Sequence, residues 1–382
     1  MQTQKLTKDA GRLSLTELAE ELERQRKAKV DFTADTRQLE VIPHETTGLA
    51  FTVPEPLQEK VEASVMPINT HALRQIGSTL GIPAPFVDKL KDRHPDMLAW
   101  TVNQLFEREP KARMVRTLDG VARAFMSDSY RPLDNFDLAE AVLPELIRME
   151  ADVFSCAITQ TRMYIKAIIP GVVREVKADG VFFGDGGHNT IHVLKPGCVI
   201  GNSEVGAGSL FFQPGIHERH CSNLAVFSRD AMRKFHVGRK QNGDDDIWTI
   251  LSEETRRVQD AGFWMQVRDM VKASFEGKLF DKMVRQCEEA ISGDKIEAPI
   301  EAIKLLPDTS VTQAEQDGIL NTLIKGGDLS QFGMQAAVTR FAQDVESPDR
   351  QFELEQLGGK ILELPRSQWT RIANAGVDRV AA

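Results

Sequence analysis

The hydrophobic period of this chain changes once, near residue 244, and that change limits the folds open to it. From about Ala151 to Val237 the apolar residues come in short runs rich in Val, Ile and Phe: DVFSCAITQ, RMYIKAIIP, CVIGNSEV, GSLFFQPGIHER and NLAVFS. Gly, Pro and Asn separate them, which predicts strands joined by turns. Beyond Asp244 the apolar residues recur three and four apart, as in DDDIWTILSEETRRVQDAGFWMQVRDMVKASF and LFDKMVRQCEEAI, which predicts helices. Strands followed by helices, without alternation, point to an α+β protein: a mixed helix and antiparallel-sheet centre with a helical C-terminal section.

Local signals fill in the outline. Ser14 and Glu17 form a capping box that opens a helix with few apolar positions, expected to be peripheral or to pack on a partner. A polar stretch follows to about Gln58, whose short VIP and LAFTVP runs read as edge strands. Gly81 is placed to end the helix THALRQIGSTLGI before IPAPFVDKLKDR starts the next. Asp119-Gly120 sits between two alternating runs and predicts a hairpin. DNFDLAEAVLPELIRM then reads as an amphipathic helix with an Asp N-cap.

Thr312 and Glu315 make a second capping box, Ser330 precedes QFGMQAAVTRFAQDV, and Ser347-Pro348 opens a helix that Gly358-Gly359 is expected to stop. The expected divisions are an N-terminal helix and irregular segment (1–60), an α+β core (61–243) and a helical region (244–382).

The 382 residues give ample core for two or three domains. No apolar run approaches the roughly 20 residues of a membrane span, and the first 29 residues lack the apolar core of a secretion signal. Cys156, Cys198, Cys221 and Cys287 show no C-x-x-C spacing, which fits a reduced cytoplasm and argues against a zinc ribbon or a disulfide framework.

The stretch NSEVGAGSLFFQPGIHERHCSNL (202–224) concentrates the reactive side chains. His188, His192, His217, His220 and His236 lie close in sequence to Cys198 and Cys221, a set that zinc could use. Strand alternation separates them: His217 and His220 face opposite ways, and no second pair supplies the remaining ligands. Cys221 has neither a glycine elbow nor a marked base, so no catalytic nucleophile is assigned. GDGGHN (184–189) lacks the Lys-Ser/Thr ending of a phosphate loop and reads as a turn. The expectation is no metal, no cofactor and no enzymatic activity.

The cations are more informative. The net charge is −9, yet Arg108 to Lys240 holds 18 Lys/Arg against 15 Asp/Glu, so the middle is the electropositive part. Arg113, Arg116 and Arg123 fall on the hairpin, followed by Tyr130 and Arg131. Arg233, Lys234, Phe235, His236, Arg239 and Lys240 fall in RDAMRKFHVGRK (229–240). Arg113 and Arg116 should point to opposite faces, whereas Arg116 and Arg123 should meet across the turn. Clustered cations with a few aromatics on a β scaffold can follow a single-stranded phosphate backbone.

Five segments in order, LGIPAPFVDKL, HPDMLAWTVNQLF, VRTLDGVARAFMSDSYRPLDNFDL, PGCVIGNSEVGAGSLFFQPGIHERHCSNL and RKFHVGRK, together resemble a family of phage- and plasmid-encoded proteins, domain of unknown function 932. GMQAAVTRFAQD resembles the segment that commonly closes such proteins. The resemblance spans roughly Leu80 to Val345 and implies a mobile-element origin and a cytoplasmic protein of the host cell, without supplying an activity. In that family the cysteine-asparagine step is usually followed by glycine, and Cys221-Ser222-Asn223-Leu224 departs from it.

Three functions remain open at this point. The first is binding of single-stranded DNA or RNA, as an annealing or recombination mediator, with homo-oligomerisation expected if it anneals. The second is a metal-dependent enzyme on nucleotides using His217, His220, Cys221 or His236. The third is a protein–protein module whose acidic C-terminal helices hold a host partner.

Overall fold

The hairpin turns where two residues have positive φ, Asp119 at 52° and Gly120 at 73°, the geometry that fits the twist of the strands it joins. The computed structural model describes residues 10–55, 58–59, 63–130, 133–178, 190–218, 223–227, 232–234, 253–275, 277–308 and 310–376. The hairpin strands β6 (Ala112–Leu118) and β7 (Val121–Ser127) pair with β2 (Asp31–Asp35) in a three-stranded sheet, order β2-β6-β7. A second small sheet joins β3 (Glu40–His44), β4 (Gly48–Thr52) and β5 (Val65–Pro67). LAFT is therefore the buried central strand of that sheet and not an edge; of the two runs only VIP, in β3 with Pro43, lies at an edge.

Three helices cover these sheets: α2 (Thr70–Thr79), α3 (Ala84–Arg93) and α4 (Pro95–Arg108). Leu73, Ile76, Val87, Leu98, Val102 and Phe106 close a core against Phe51, Val115 and Phe125. Gly81, at φ +72°, lies just past the end of α2, as its spacing predicts.

The large sheet has eight strands, all antiparallel. Its main path is β1 (Ala10–Leu13), β8 (Asp152–Ile158), β9 (Met163–Ile168), β11 (Thr190–Asn202), β12 (Leu210–Glu218) and β13 (Asn223–Val226). β10 (Arg174–Ala178) pairs with β11, and β14 (Met232–Lys234) pairs with β12. One face is covered by α1 (Leu15–Ala28), α5 (Asn135–Arg148) and α6 (Glu253–Phe275), which bury Leu18, Leu22, Val142, Leu146, Phe263, Val267 and Val271 with Ile165, Ile200 and Phe212. The first helix thus packs on its own chain, burying Leu18 and Leu22, both at most 3% exposed, and Gln25, with Leu15 partly buried beside them.

The remaining helices are α7 (Gly277–Ser292), α8 (Pro299–Lys304), α9 (Gln313–Gly326), α10 (Gln331–Ala342), α11 (Pro348–Leu362) and α12 (Arg366–Ala373). All of these but α7 share a helical core that includes Met334, Val338, Leu357, Ile361 and Trp369. α7 and α11 also lie on the large sheet. Gly358 and Gly359 are inside α11 and do not stop it, contrary to the Pro-start, Gly-end expectation. A Cβ on Gly359 would lie 1.9 Å from the Val226 carbonyl oxygen, and one on Gly358 would lie 2.4 Å from Thr339 Cγ2. The pair lets α11 press between β13 and α10.

The expected divisions at 60 and 243 do not coincide with breaks in packing. β1 pairs with β8, β2 pairs with β6, and α6 completes the core beneath the large sheet.

Candidate functional site

Glu204, in the NSEVGAGS connection between β11 and β12, is 4% exposed and is the centre of the most developed polar site. Arg123 Nη2 donates to its Oε2 at 2.5 Å, and the backbone N–H of Asn135, the first residue of α5, donates to Oε1 at 2.7 Å. A helix N-terminus with free N–H groups favours a carboxylate there. Lys29 Nζ lies 3.6 Å from the same carboxylate and is hydrogen-bonded to Asp134.

Arg116 completes the cluster. Its side chain is fully buried; Nη2 reaches Asp134 at 2.7 Å, Nε donates to Asp31 at 2.9 Å, and Nη1 donates to the Glu204 carbonyl oxygen at 2.9 Å. Asp134 is the N-cap residue of α5, but its side chain makes no capping bond and turns to Arg116 and Lys29. Lys29, Arg116 and Arg123 thus face Asp31, Asp134 and Glu204, and the charges balance. Burial would raise the pKa of Glu204, but Arg123, Lys29 and Arg116 hold it below the ordinary carboxylate range. Asp134 is lowered in the same way by Arg116 and Lys29 against its own burial. Glu204 and Asp134 both move toward their ionised form, so neither is poised to exchange a proton near neutral pH.

The same loop is gripped along its backbone. His71 Nε2 and Gln75 Nε2, both on α2, meet the Val205 carbonyl at 2.9 and 2.8 Å, and Arg162 Nη2 donates to that of Ala207 at 2.8 Å. Gly206 has φ +74°, with Met126 Sδ 3.1 Å from where a Cβ would stand. The small residues therefore serve close approach to the hairpin and to α2. The cluster is a charge-neutral clamp that ties the hairpin, α2 and α5 to the large sheet.

This changes the assignment of the sequence-predicted cations. Arg116 and Arg123 do not offer charge to a ligand: both are buried and committed to carboxylates. Arg123 is the extra residue of a one-residue bulge, because Arg116 pairs with Ala124 while Thr117 pairs with Ala122. Arg113 lies on the other side of β6, paired with Ser127 and half-buried, with Nε enclosed and without a hydrogen-bond partner among the described residues. Tyr130 is half-buried and its hydroxyl lies 3.5 Å from the Ser203 carbonyl oxygen. β14 places the backbone of Arg233 and Lys234 opposite Phe211 and Leu210, on the outer edge of the large sheet. Arg131, Phe235, His236, Arg239 and Lys240 lie outside the described residues, as do His188, His220, Cys221 and the GDGGHN segment.

His192 and His217 pack on aromatic rings. His192 is 1% exposed and packs on Phe332 with ring centroids 4.6 Å apart, near Glu218. His217 packs edge-on to Phe154, and burial with nearby Lys195 holds its pKa below the ordinary value. Cys198 and Cys287 are buried with raised pKa, and burial pushes the Cys156 thiol up to about 12. Among the described residues no group of three or more His, Cys, Asp or Glu could hold a metal ion.

One crevice, of about 70 Å³, opens between β8, β9 and the start of α11, lined by Ser155, Tyr164, Lys166 and Gln351 among others. Sequence reasoning missed Lys29, Asp31, Asp134 and Glu204 as one site. The only local signal was Glu204 itself, a single acid in a run of small residues.

No family model, no curated protein and no solved structure matches this chain.

Proposed function

We propose that this chain is a single-stranded nucleic-acid-binding protein of a mobile element, working in the host cytoplasm as an annealing or recombination mediator. The observation that carries the reading is that Met232–Lys234, within the basic run 229–240, forms the strand β14 at the edge of the large sheet. That run holds Arg229, Arg233, Lys234, Arg239 and Lys240 against one acid, Asp230. Cations clustered in sequence around an edge strand can follow a phosphate backbone, and Phe235 and Tyr130 are the aromatic candidates for base stacking. Arg113 on the hairpin remains a contributor, as does Arg131; Arg116 and Arg123, buried against carboxylates, do not. The five ordered motifs shared with the phage and plasmid family support the mobile-element origin. Among the described residues no helix is long and apolar enough to cross a membrane.

The test is fluorescence anisotropy with labelled single-stranded DNA, single-stranded RNA and duplex DNA at two salt concentrations. Micromolar or tighter binding to single strands that weakens steeply with salt is expected. Reversing Arg233, Lys234, Arg239 and Lys240 to Glu should abolish it, and unchanged affinity in that variant would overturn the proposal.

A further inference from the structure

Among the described residues the two most exposed aromatic rings lie on two consecutive helices. Among the described residues Phe86 (50% exposed) and Trp100 (65%) are the only aromatic side chains at least half exposed, and Met97 (56%) lies one turn before Trp100. Phe86, Lys89 and Arg93 follow one another at helical spacing along the exposed side of α3. Met97 and Trp100 do the same on α4, whose opposite side buries Leu98, Ala99 and Val102. The helices pack against each other and are joined through the single residue His94, so the two stripes meet at one corner.

Scattered exposed apolar residues need no explanation, but Trp, Phe, Met and Arg together match the composition of protein interfaces. The charges around the corner say what covers it. Lys89 and Arg93 have no acidic partner among the described residues, and neither basic group answers Asp96, exposed in the first turn of α4. Asp92 is met by Lys91 at 3.3 Å. The face thus carries cations on the α3 side and an anion on the α4 side. That arrangement suits neither a polyanion nor an acidic peptide over the whole patch, but it is complementary to itself.

We infer that this face is an isologous interface between two copies of the chain. A two-fold axis near His94 sets Arg93 of one copy against Asp96 of the other, and the same in reverse. Trp100 and Met97 of each copy then cover the Phe86 side of its partner, removing the exposed rings from water. The inference is independent of the nucleic-acid reading and is tested on nucleic-acid-free protein, so either can fail alone.

Sedimentation velocity over a concentration series gives the mass directly. The wild type is expected to be a dimer, with Trp100→Glu weakening its Kd by roughly tenfold or more, as for a central interface aromatic. Trp100 is exposed, and an unchanged thermal midpoint of the variant at low concentration confirms that its fold is kept. Arg93→Asp and Asp96→Arg should each weaken the dimer, and the double variant should restore it, since an isologous contact exchanges both partners at once. A wild type that stays monomeric overturns the inference, and so does a dimer indifferent to Trp100→Glu. A charge swap that fails to rescue overturns the two-fold arrangement.

Discussion

Arg123 and Glu204 lie 81 residues apart in sequence and meet at 2.5 Å in the interior, joining the hairpin to the large sheet. Such a pair gains from attraction in a low-dielectric setting and loses from desolvation, so its net value is small. Removing one partner is different, because the other charge stays buried. Glu204→Gln leaves Arg123, Arg116 and Lys29 with two carboxylates and is expected to cost about 3–5 kcal/mol in urea unfolding. A loss below about 1 kcal/mol would mean that the cluster adjusts without Glu204.

Acid should act on this protein in two stages. Burial keeps His217 and His71 below their ordinary pKa, so the unfolded chain takes up those protons first. Stability therefore falls as the pH drops below about 6.5. Glu204 and Asp134 are shifted down as well, and their contribution is full above about pH 4 and lost below it. Melting temperature against pH should be level above about pH 7, slope gently beneath, and drop steeply in stronger acid. His217→Gln should flatten the gentle slope and leave the steep one in place; an unchanged gentle slope would remove His217 from this account.

Two glycines in helices should respond oppositely to alanine. At Gly262 in α6 no atom of the described residues beyond its own helix backbone lies within 4 Å of the new methyl, so Gly262→Ala should stabilise by up to about 1 kcal/mol through helix propensity. At Gly359 the methyl would stand 1.9 Å from the Val226 carbonyl oxygen, and α11 must lift from β13. Overpacking of this kind costs about 1–3 kcal/mol, more than the propensity gain. Thermal melts of the two variants should move in opposite directions.

What the sequence revealed was local physics. Both capping boxes, at Ser14 and Thr312, form as read, because cap and helix are three residues apart. The Asp119-Gly120 turn forms because its dihedrals are set by two residues. The change from strand to helix period gave the α+β class. The Glu204 cluster was not legible, since its partners come from four separate segments and a buried arginine reads like an exposed one. Gly358-Gly359 misled for a related reason: in α11 the glycines answer to β13 and α10, not to the chain next to them. The bulge at Arg123 shifts the pairing by one residue, and nothing in the alternation of the hairpin announces it.

Lys166 and Glu355 form a second buried pair, at 2.7 Å, between β9 and α11, and Glu355 Oε2 has no hydrogen-bond partner among the described residues. Lys166→Met alone strands that carboxylate and should cost about 3–5 kcal/mol, as Glu355→Leu should in reverse. The double variant replaces the pair by apolar packing and should come back to within about 1 kcal/mol of the wild type or exceed it. A double variant as unstable as the sum of the singles would show that the pair does more than neutralise itself.

The buried cations and those of the run 229–240 can be told apart by salt. A cation that contacts phosphate contributes to the dependence of log Kobs on log salt, by about 0.7 per contact for a single strand. Arg123 is enclosed by Glu204, so Arg123→Gln should lower stability and leave that slope unchanged in the fraction that remains folded. Neutralising Arg233, Lys234, Arg239 and Lys240 to Gln should lower the slope by up to about 3 while the melting temperature holds. If Arg123→Gln reduced the slope instead, the clamp would have to open on binding, and Glu204 would be competing with phosphate for the same arginine. If neither changed it, the strand would be held elsewhere, and the basic run would be solvated surface.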